Sequence, residues 1–134
     1  MKTDPYHDKE SMTELLKQYN NLRNGSKSIF FDEEAFEKII DYFDDQEDLS
    51  KALEAAETAI EYYPYSGALL IKKADLLLAT RKYREALHIL EKAELFDSSD
   101  INLYILKTDA YLAMDMQEKA VEVLEQAIHS FEGE

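Results

Sequence analysis

Small and large apolar residues recur along the chain at one fixed interval of 34 residues. Two of the series consist of alanines, and two consist of aromatic residues and leucines. The four series are Ala52, Ala86 and Ala120; Ala59, Ala93 and Ala127; Phe43, Leu77 and Tyr111; and Phe36, Leu70 and Tyr104. Because all four share one period, they indicate internal structural repeats. We therefore divide most of the chain into three repeats, at residues 31–66, 67–100 and 101–134.

Each repeat is predicted to contain two antiparallel helices. In the second repeat, apolar residues at helical spacing predict a first helix near residues 67–79 and a second near 82–95. The link between them is short and polar, so the two helices must lie side by side. At the start of the first repeat, Asp32 is a predicted N-cap, and Phe31 and Phe36 are spaced as a hydrophobic staple.

An additional helix is predicted before the first repeat. Residues 11–22 place five apolar side chains on one helical face, namely Met12, Leu15, Leu16, Tyr19 and Leu22. Because the end of a repeat array needs a polar cap, we interpret residues 11–30 as a capping helix and its loop. Residues 1–10 are predicted to be disordered.

The opposite end of the array has no such helix in the sequence, which stops at Gly133 and Glu134. The last predicted helix would leave Val121, Leu124 and Ile128 partly uncovered. Two interpretations remain open: the chain is a fragment of a longer array, or this face mediates self-association into a homo-oligomer.

At this point the chain resembles the tetratricopeptide repeat family. The resemblance covers residues 33–134 and is clearest in the second repeat. There the family pattern corresponds to Leu70-Ile71-Lys72-Lys73-Ala74-Asp75-Leu76-Leu77, followed by Tyr83-Arg84-Glu85-Ala86 and Lys92-Ala93. The resemblance implies an all-α fold, a right-handed α-α superhelix of three helical hairpins. It also implies an inner groove, lined by the first helix of each repeat, that receives a peptide or a helix of a partner.

The chain departs from the family pattern at several positions. Ile40 stands where a small residue is usual, and Lys73 and Lys107 stand where leucine is usual. The glycine that is usual in the turn inside each repeat is replaced by Glu47, Arg81 and Asp115. These departures alter individual contacts without removing the repeat pattern.

The family register predicts which residues face the groove. The proposed ligand-groove residues are Glu37, Asp41, Lys72, Asp75, Ile105, Leu106 and Asp109, and the same register also turns Glu34, Lys38 and Asp44 inward. Asp41, Asp75 and Asp109 occupy the same position in successive repeats, and the surface grades from acidic to apolar along the array. A matching ligand would carry Lys or Arg toward one end and apolar residues toward the other. Alternatively, a polar residue at that position is ordinary for the family, and Ile105 and Leu106 simply pack against neighbouring residues.

A second expectation from the family concerns chaperone tails. The family's carboxylate clamp would fall on Glu37, Asp41, Lys72, Asn102 and Leu106. The positive charge of the clamp is reversed at Glu37 and lost at Asn102 and Leu106, and Asp41 adds a negative charge. The sequence therefore argues against an adaptor for a chaperone's C-terminal tail.

The net charge of −14 bears on the choice of partner. Between Asp32 and Asp48 there are nine carboxylates and a single lysine. This charge would repel nucleic acids and anionic membranes and attract basic proteins or peptides. Cysteine is absent, and no signal peptide or membrane-spanning segment is recognisable, so we expect a cytoplasmic protein.

No catalytic or metal-binding pattern is recognisable in the sequence. The three histidines are far apart, and the glycine-rich phosphate loops and the nucleophile elbow are absent. The acidic run at residues 44–48 lacks the glycine and the bidentate glutamate of a calcium loop, so we interpret it as a solvated turn. The cluster of Tyr62, Tyr63 and Tyr65 suggests packing between repeats more than a binding hot spot.

We therefore predict a non-catalytic protein-binding module without cofactor or metal. The alternative is a structural or oligomerisation segment of a longer repeat array.

Overall fold

The computed structural model describes residues 5–26 and 29–132, which form seven α-helices and no strand. Helix α1 precedes three helical hairpins, and each hairpin lies within one of the predicted repeats. The helices are α1 Pro5–Arg23, α2 Glu33–Asp45, α3 Leu49–Tyr62, α4 Gly67–Ala79, α5 Tyr83–Phe96, α6 Ile101–Ala113 and α7 Gln117–Glu132. Each helix packs against the next one along the chain, and α4 also contacts α6. The fold is an all-α helical repeat superhelix.

Capping side chains fix where several helices begin. Asp32 accepts a hydrogen bond from the backbone N–H of Ala35 at 2.8 Å, which confirms it as the N-cap of α2. The predicted staple is also present, because the rings of Phe31 and Phe36 lie edge to face with centroids 4.9 Å apart. Ser66 caps α4 in the same way, accepting from the N–H of Leu69 at 3.2 Å.

The turn inside each hairpin has one repeated backbone geometry. Glu47, Arg81 and Asp115 are left-handed, with φ of 59°, 64° and 62°. The residue after each one donates its N–H across the turn: Asp48 to Phe43 O at 2.9 Å, Lys82 to Leu77 O at 2.8 Å, and Met116 to Tyr111 O at 2.8 Å. This pattern is a Schellman motif, in which a left-handed residue ends the helix. The turn is therefore conserved in shape within the chain although none of the three residues is glycine.

The apolar core consists of two clusters that cross the repeat boundaries. The first joins α1 and the first hairpin with Leu69 and Leu76 of α4. The second joins the second hairpin with Leu103 of α6 and Val123 of α7. The first and second hairpins are thus each covered by the first helix of the hairpin that follows.

Helix α1 covers the outer side of the first hairpin, where Tyr19 and Leu22 are buried and Met12, Leu15 and Leu16 are partly buried. The helix begins at Pro5, earlier than the predicted start at residue 11. Proline is well suited to the first turn of a helix because its missing N–H needs no partner there. The predicted disorder at residues 1–10 therefore differs from the structure over residues 5–10, and residues 1–4 lie outside the described residues.

The tyrosines after α3 take different roles. Tyr63 is partly buried, packs on Phe36 and donates a hydrogen bond from its hydroxyl to the carbonyl of Phe31 at 2.7 Å. This contact supports the packing interpretation for Tyr63. Tyr62 and Tyr65 remain largely exposed, although their rings contact Phe36 and Phe96.

Candidate functional site: the acidic groove and the C-terminal face

The first helices of the three repeats lie close enough for their polar side chains to interact. Lys72 on α4 forms an ion pair with Asp41 on α2, with 2.7 Å between Nζ and Oδ1. At the base of the same helices, the Ser66 hydroxyl donates to Glu33 at 2.9 Å. Helix α6 continues the row through its contact with α4. The acidic groove, as we use the term, is the surface formed by Glu37, Asp41 and Asp44 of α2, Lys72 and Asp75 of α4, and Asp109 of α6.

Asp75 lies on α4, the middle of the three groove helices, and its surroundings disfavour the ionised form of its carboxyl. Partial burial raises the pKa of its carboxyl, and the negative charge of Asp44 raises it further. Lys72 opposes the shift, and Asp109 adds a smaller contribution in the raising direction. Asp75 keeps access to solvent and forms no ion pair with any described residue. Its ionised form is therefore only partly compensated.

Glu37, which lies one turn before Asp41 on α2, has a similar electrostatic environment. Partial burial raises the pKa of its carboxyl, and the charges of Asp41, Glu33 and Glu34 act in the same direction. Lys72 is again the cation that opposes the shift. Lys72 therefore interacts electrostatically with three carboxylates, those of Asp41, Glu37 and Asp75.

The three aspartates of the predicted row have different partners in the structure. Asp41 is paired with Lys72, so its charge is largely satisfied within the protein. Asp44, which the register turned inward but which was not among the proposed site residues, interacts with Asp75 in its place. The carboxylates left to interact across the repeats are therefore Asp44, Asp75 and Asp109.

The two apolar residues proposed for the groove lie in other surroundings. Leu106 is partly buried and packs against the second core cluster. Ile105 is 47% exposed and lines an apolar cavity of about 300 Å³ between α6 and α7. The same cavity is lined by Leu124 and Ile128. Ile105 thus joins the residues proposed for self-association.

This second surface is the C-terminal face, which we define by Ile105, Val121, Leu124 and Ile128. Val121 is 50% exposed, Leu124 47% and Ile128 60%. One period before Ile105, Val121 and Leu124 stand Ile71, Leu87 and Leu90, which are at most 8% exposed, whereas Glu94 stands one period before Ile128. Three of the four residues of the C-terminal face therefore correspond to residues that are buried in the second repeat.

Neither surface contains an arrangement typical of a metal site. Within residues 5–26 and 29–132, no group of histidine and carboxylate side chains is placed to hold a metal ion. Over the same residues, no helix is long and apolar enough to cross a bilayer.

Comparison with known proteins agrees with the fold. Residues 45–109, just under half of the chain, match the tetratricopeptide repeat family model. Over these residues the chain carries a tetratricopeptide repeat pattern. No curated protein matches its sequence.

Two solved tetratricopeptide structures resemble the chain in fold. The TPR2B domain of yeast Sti1, in its complex with pHsp70, is 23% identical, with a TM-score of 0.68 over 71% of this chain and 76% of that one. The TPR domain of Arabidopsis OM64 is 17% identical, with a TM-score of 0.67 over 72% of this chain and 79% of that one. The recognition of the family from the repeat period is thereby confirmed. The fold is one that serves as a protein-interaction module.

Proposed function

We propose that the acidic groove binds a basic segment of a partner protein. The observation that carries the proposal is the excess of carboxylates over cations within the groove. Lys72 alone opposes the raised pKa values of Glu37 and Asp75 and is already paired with Asp41. A Lys or Arg side chain of a ligand would supply the positive charge that these carboxylates lack.

The charge of the groove also indicates which ligands it disfavours. An acidic or C-terminal carboxylate ligand would meet Glu37 and Asp75, whose ionised forms are already disfavoured by their surroundings. The groove therefore disfavours the C-terminal carboxylate that a carboxylate clamp binds. In this it would differ from a clamp, even though one protein of similar fold was solved in a complex with pHsp70. The remaining charge of the chain, −14 in total, would steer a basic partner toward the protein before contact.

The test is affinity capture followed by identification of the retained proteins. The groove variant carries Asp44→Asn, Asp75→Asn and Asp109→Asn, which removes three charges and leaves the Asp41–Lys72 pair intact. The matched control carries Glu61→Gln, Glu91→Gln and Glu122→Gln, exposed residues on the second helices. Both variants have the same net charge, so only the position of the lost charges differs.

We expect the native chain and the control to retain the same basic partner and the groove variant to lose it. Raising the ionic strength should weaken the retained interaction, because exposed charges are screened by salt. If the groove variant and the control retain the partner equally, the groove is not the binding site. A circular dichroism spectrum of each variant distinguishes loss of binding from loss of the fold.

A second function is favoured by the exposure of the C-terminal face. In it, the repeats act as a structural segment that assembles with further repeats or with a second copy of the chain. Neighbouring exposed apolar residues of this kind are found at interaction sites. Substituting Leu124→Glu should then reduce the mass of any assembly measured by sedimentation, while leaving the basic partner of the groove bound.

A further inference from the structure

We propose that the C-terminal face binds an amphipathic α-helix with a defined pattern: apolar residues at positions i and i+7 and a lysine at i+4. The inference rests on the assembly function above and specifies its partner. It follows from how the chain covers the corresponding face of its own first and second repeats.

The two helices that cover a preceding hairpin, α4 and α6, place apolar residues in the same pattern. Helix α4 covers the first hairpin with Leu69 and Leu76, which are buried in the first core cluster. Helix α6 covers the second hairpin with Leu103 and Ala110, which lie 34 residues later and are fully buried. In each covering helix the two apolar residues are separated by two turns, so they lie on one helical face.

A lysine accompanies the apolar pair in both covering helices. Lys73 and Lys107 stand four residues after the leading leucine. The Nζ atom of Lys73 lies 4.0 Å from Oε2 of Glu57 on α3, and Nζ of Lys107 lies 2.9 Å from Oε1 of Glu94 on α5. Each covering helix is therefore held by leucine packing and by an ion pair to the preceding hairpin. The two lysines that depart from the family pattern thus both contact the preceding hairpin, although their partners Glu57 and Glu94 do not occupy equivalent repeat positions.

The C-terminal face has the groups found at the first of these boundaries, where Lys73 contacts Glu57, whereas Ile128 stands in place of the Glu94 that pairs with Lys107 at the second. Glu125 and Ile128 on α7 occupy the positions of Glu57 and Ile60 on α3, two periods earlier. Glu125 is exposed and forms no ion pair with any described residue. The apolar cavity between α6 and α7 would receive the leading apolar side chain of the partner helix. A lysine four residues later would then lie near Glu125, as Lys73 lies near Glu57.

The experiment uses the whole chain and a labelled peptide that has the sequence of α4, residues 66–80, blocked at both ends. Peptide binding is measured by fluorescence anisotropy, and the contacted residues by methyl chemical shifts of Ile105, Leu124 and Ile128. We expect saturable binding with shifts at these three residues. Leu69→Asp in the peptide, or Leu124→Glu in the protein, should weaken binding by at least about tenfold.

A charge exchange tests the role of the lysine. Lys73→Glu in the peptide should weaken binding about fivefold, in the range of a solvent-accessible ion pair. Glu125→Lys in the protein should restore binding of that altered peptide. Equal binding of the Lys and Glu peptides would overturn the proposed pattern, as would binding that does not shift the three methyl groups.

The test also distinguishes this inference from the assembly function itself. If the chain self-associates through Leu124 but binds no peptide, the face is an interface between copies, and the proposed helical partner is wrong. If neither the peptide nor a second copy binds, both proposals fail. Leu124 is 47% exposed, so Leu124→Glu is expected to fold, and Ile128→Glu serves as a second variant.

Discussion

Replacing Arg81 with glycine should stabilise the protein. Arg81 has a φ of 64°, a conformation in which the Cβ atom of an L-residue crowds the backbone. The left-handed conformation costs a non-glycine residue about 1–2 kcal/mol. Glycine removes this cost but adds about 0.4–1 kcal/mol of unfolded-state entropy. The expected net gain is therefore about 0.5–1 kcal/mol, or about 2–5 °C in the melting temperature.

Arg81 is the most informative of the three left-handed positions. It is exposed, and its side chain has no hydrogen bond or ion pair with a described residue, so its removal should affect little else. Glu47 lies among other carboxylates, so removing it would also relieve charge repulsion. Asp115 tolerates the left-handed region better, and its carboxylate accepts a hydrogen bond from Gln117 at 3.0 Å.

The assay is thermal and urea unfolding of the native chain, Arg81→Gly and Arg81→Ala. Alanine removes the same side chain but keeps the Cβ atom, so it should show little of the gain. Amide exchange should also slow at Lys82, whose N–H closes the turn onto the carbonyl of Leu77. If Arg81→Gly is no more stable than Arg81→Ala, the reasoning about the left-handed turn is refuted.

Three further perturbations test the core, the repeat contact and the groove. Phe36→Ala should lower the free energy of unfolding in urea by about 3–5 kcal/mol, because Phe36 is fully buried. Phe30→Ala, at an 82% exposed position, should change it by less than about 0.5 kcal/mol. Equal effects of the two substitutions would contradict the assigned core. Lys107→Ala should lower the free energy of unfolding by about 1–2 kcal/mol. A double-mutant cycle with Glu94→Gln should show coupling between the two residues, and its absence would argue against the 2.9 Å ion pair. Asp75→Asn should raise the melting temperature at neutral pH, because a raised carboxyl pKa means that ionisation destabilises the folded state. This advantage should disappear as the pH falls through the pKa of Asp75 toward that of the unfolded chain, and a constant advantage across the pH range would contradict the shift.

The sequence predicted the hairpins well because their signals are local and repeated. Three repeats in register, an N-cap at Asp32 and the staple of Phe31 with Phe36 each depend on residues a few positions apart. The capping helix was also predicted from its stripe of apolar residues, although its start was placed too late. Pro5 marks that start, since proline is favoured in the first turn of a helix.

The arrangement of the groove was harder to predict because it depends on contacts between repeats. Lys72 lies near both Asp41 and Asp75, and the sequence cannot show which of them it pairs with. The structure pairs it with Asp41 and leaves Asp75 to interact with Asp44 and Asp109. Ile105 was assigned to the groove because the family register turns its position inward. It lies instead in the C-terminal face, where no described helix covers it.

The most direct test of the groove proposal is an NMR titration of the carboxyl carbons of Glu37 and Asp75, with and without a basic peptide from the captured partner. In the free protein, both pKa values should lie above those of ordinary Glu and Asp side chains. Binding of the peptide should lower both, because ligand cations stabilise the ionised carboxylates. Ordinary pKa values in the free protein, or values that the bound peptide leaves unchanged, would contradict the account.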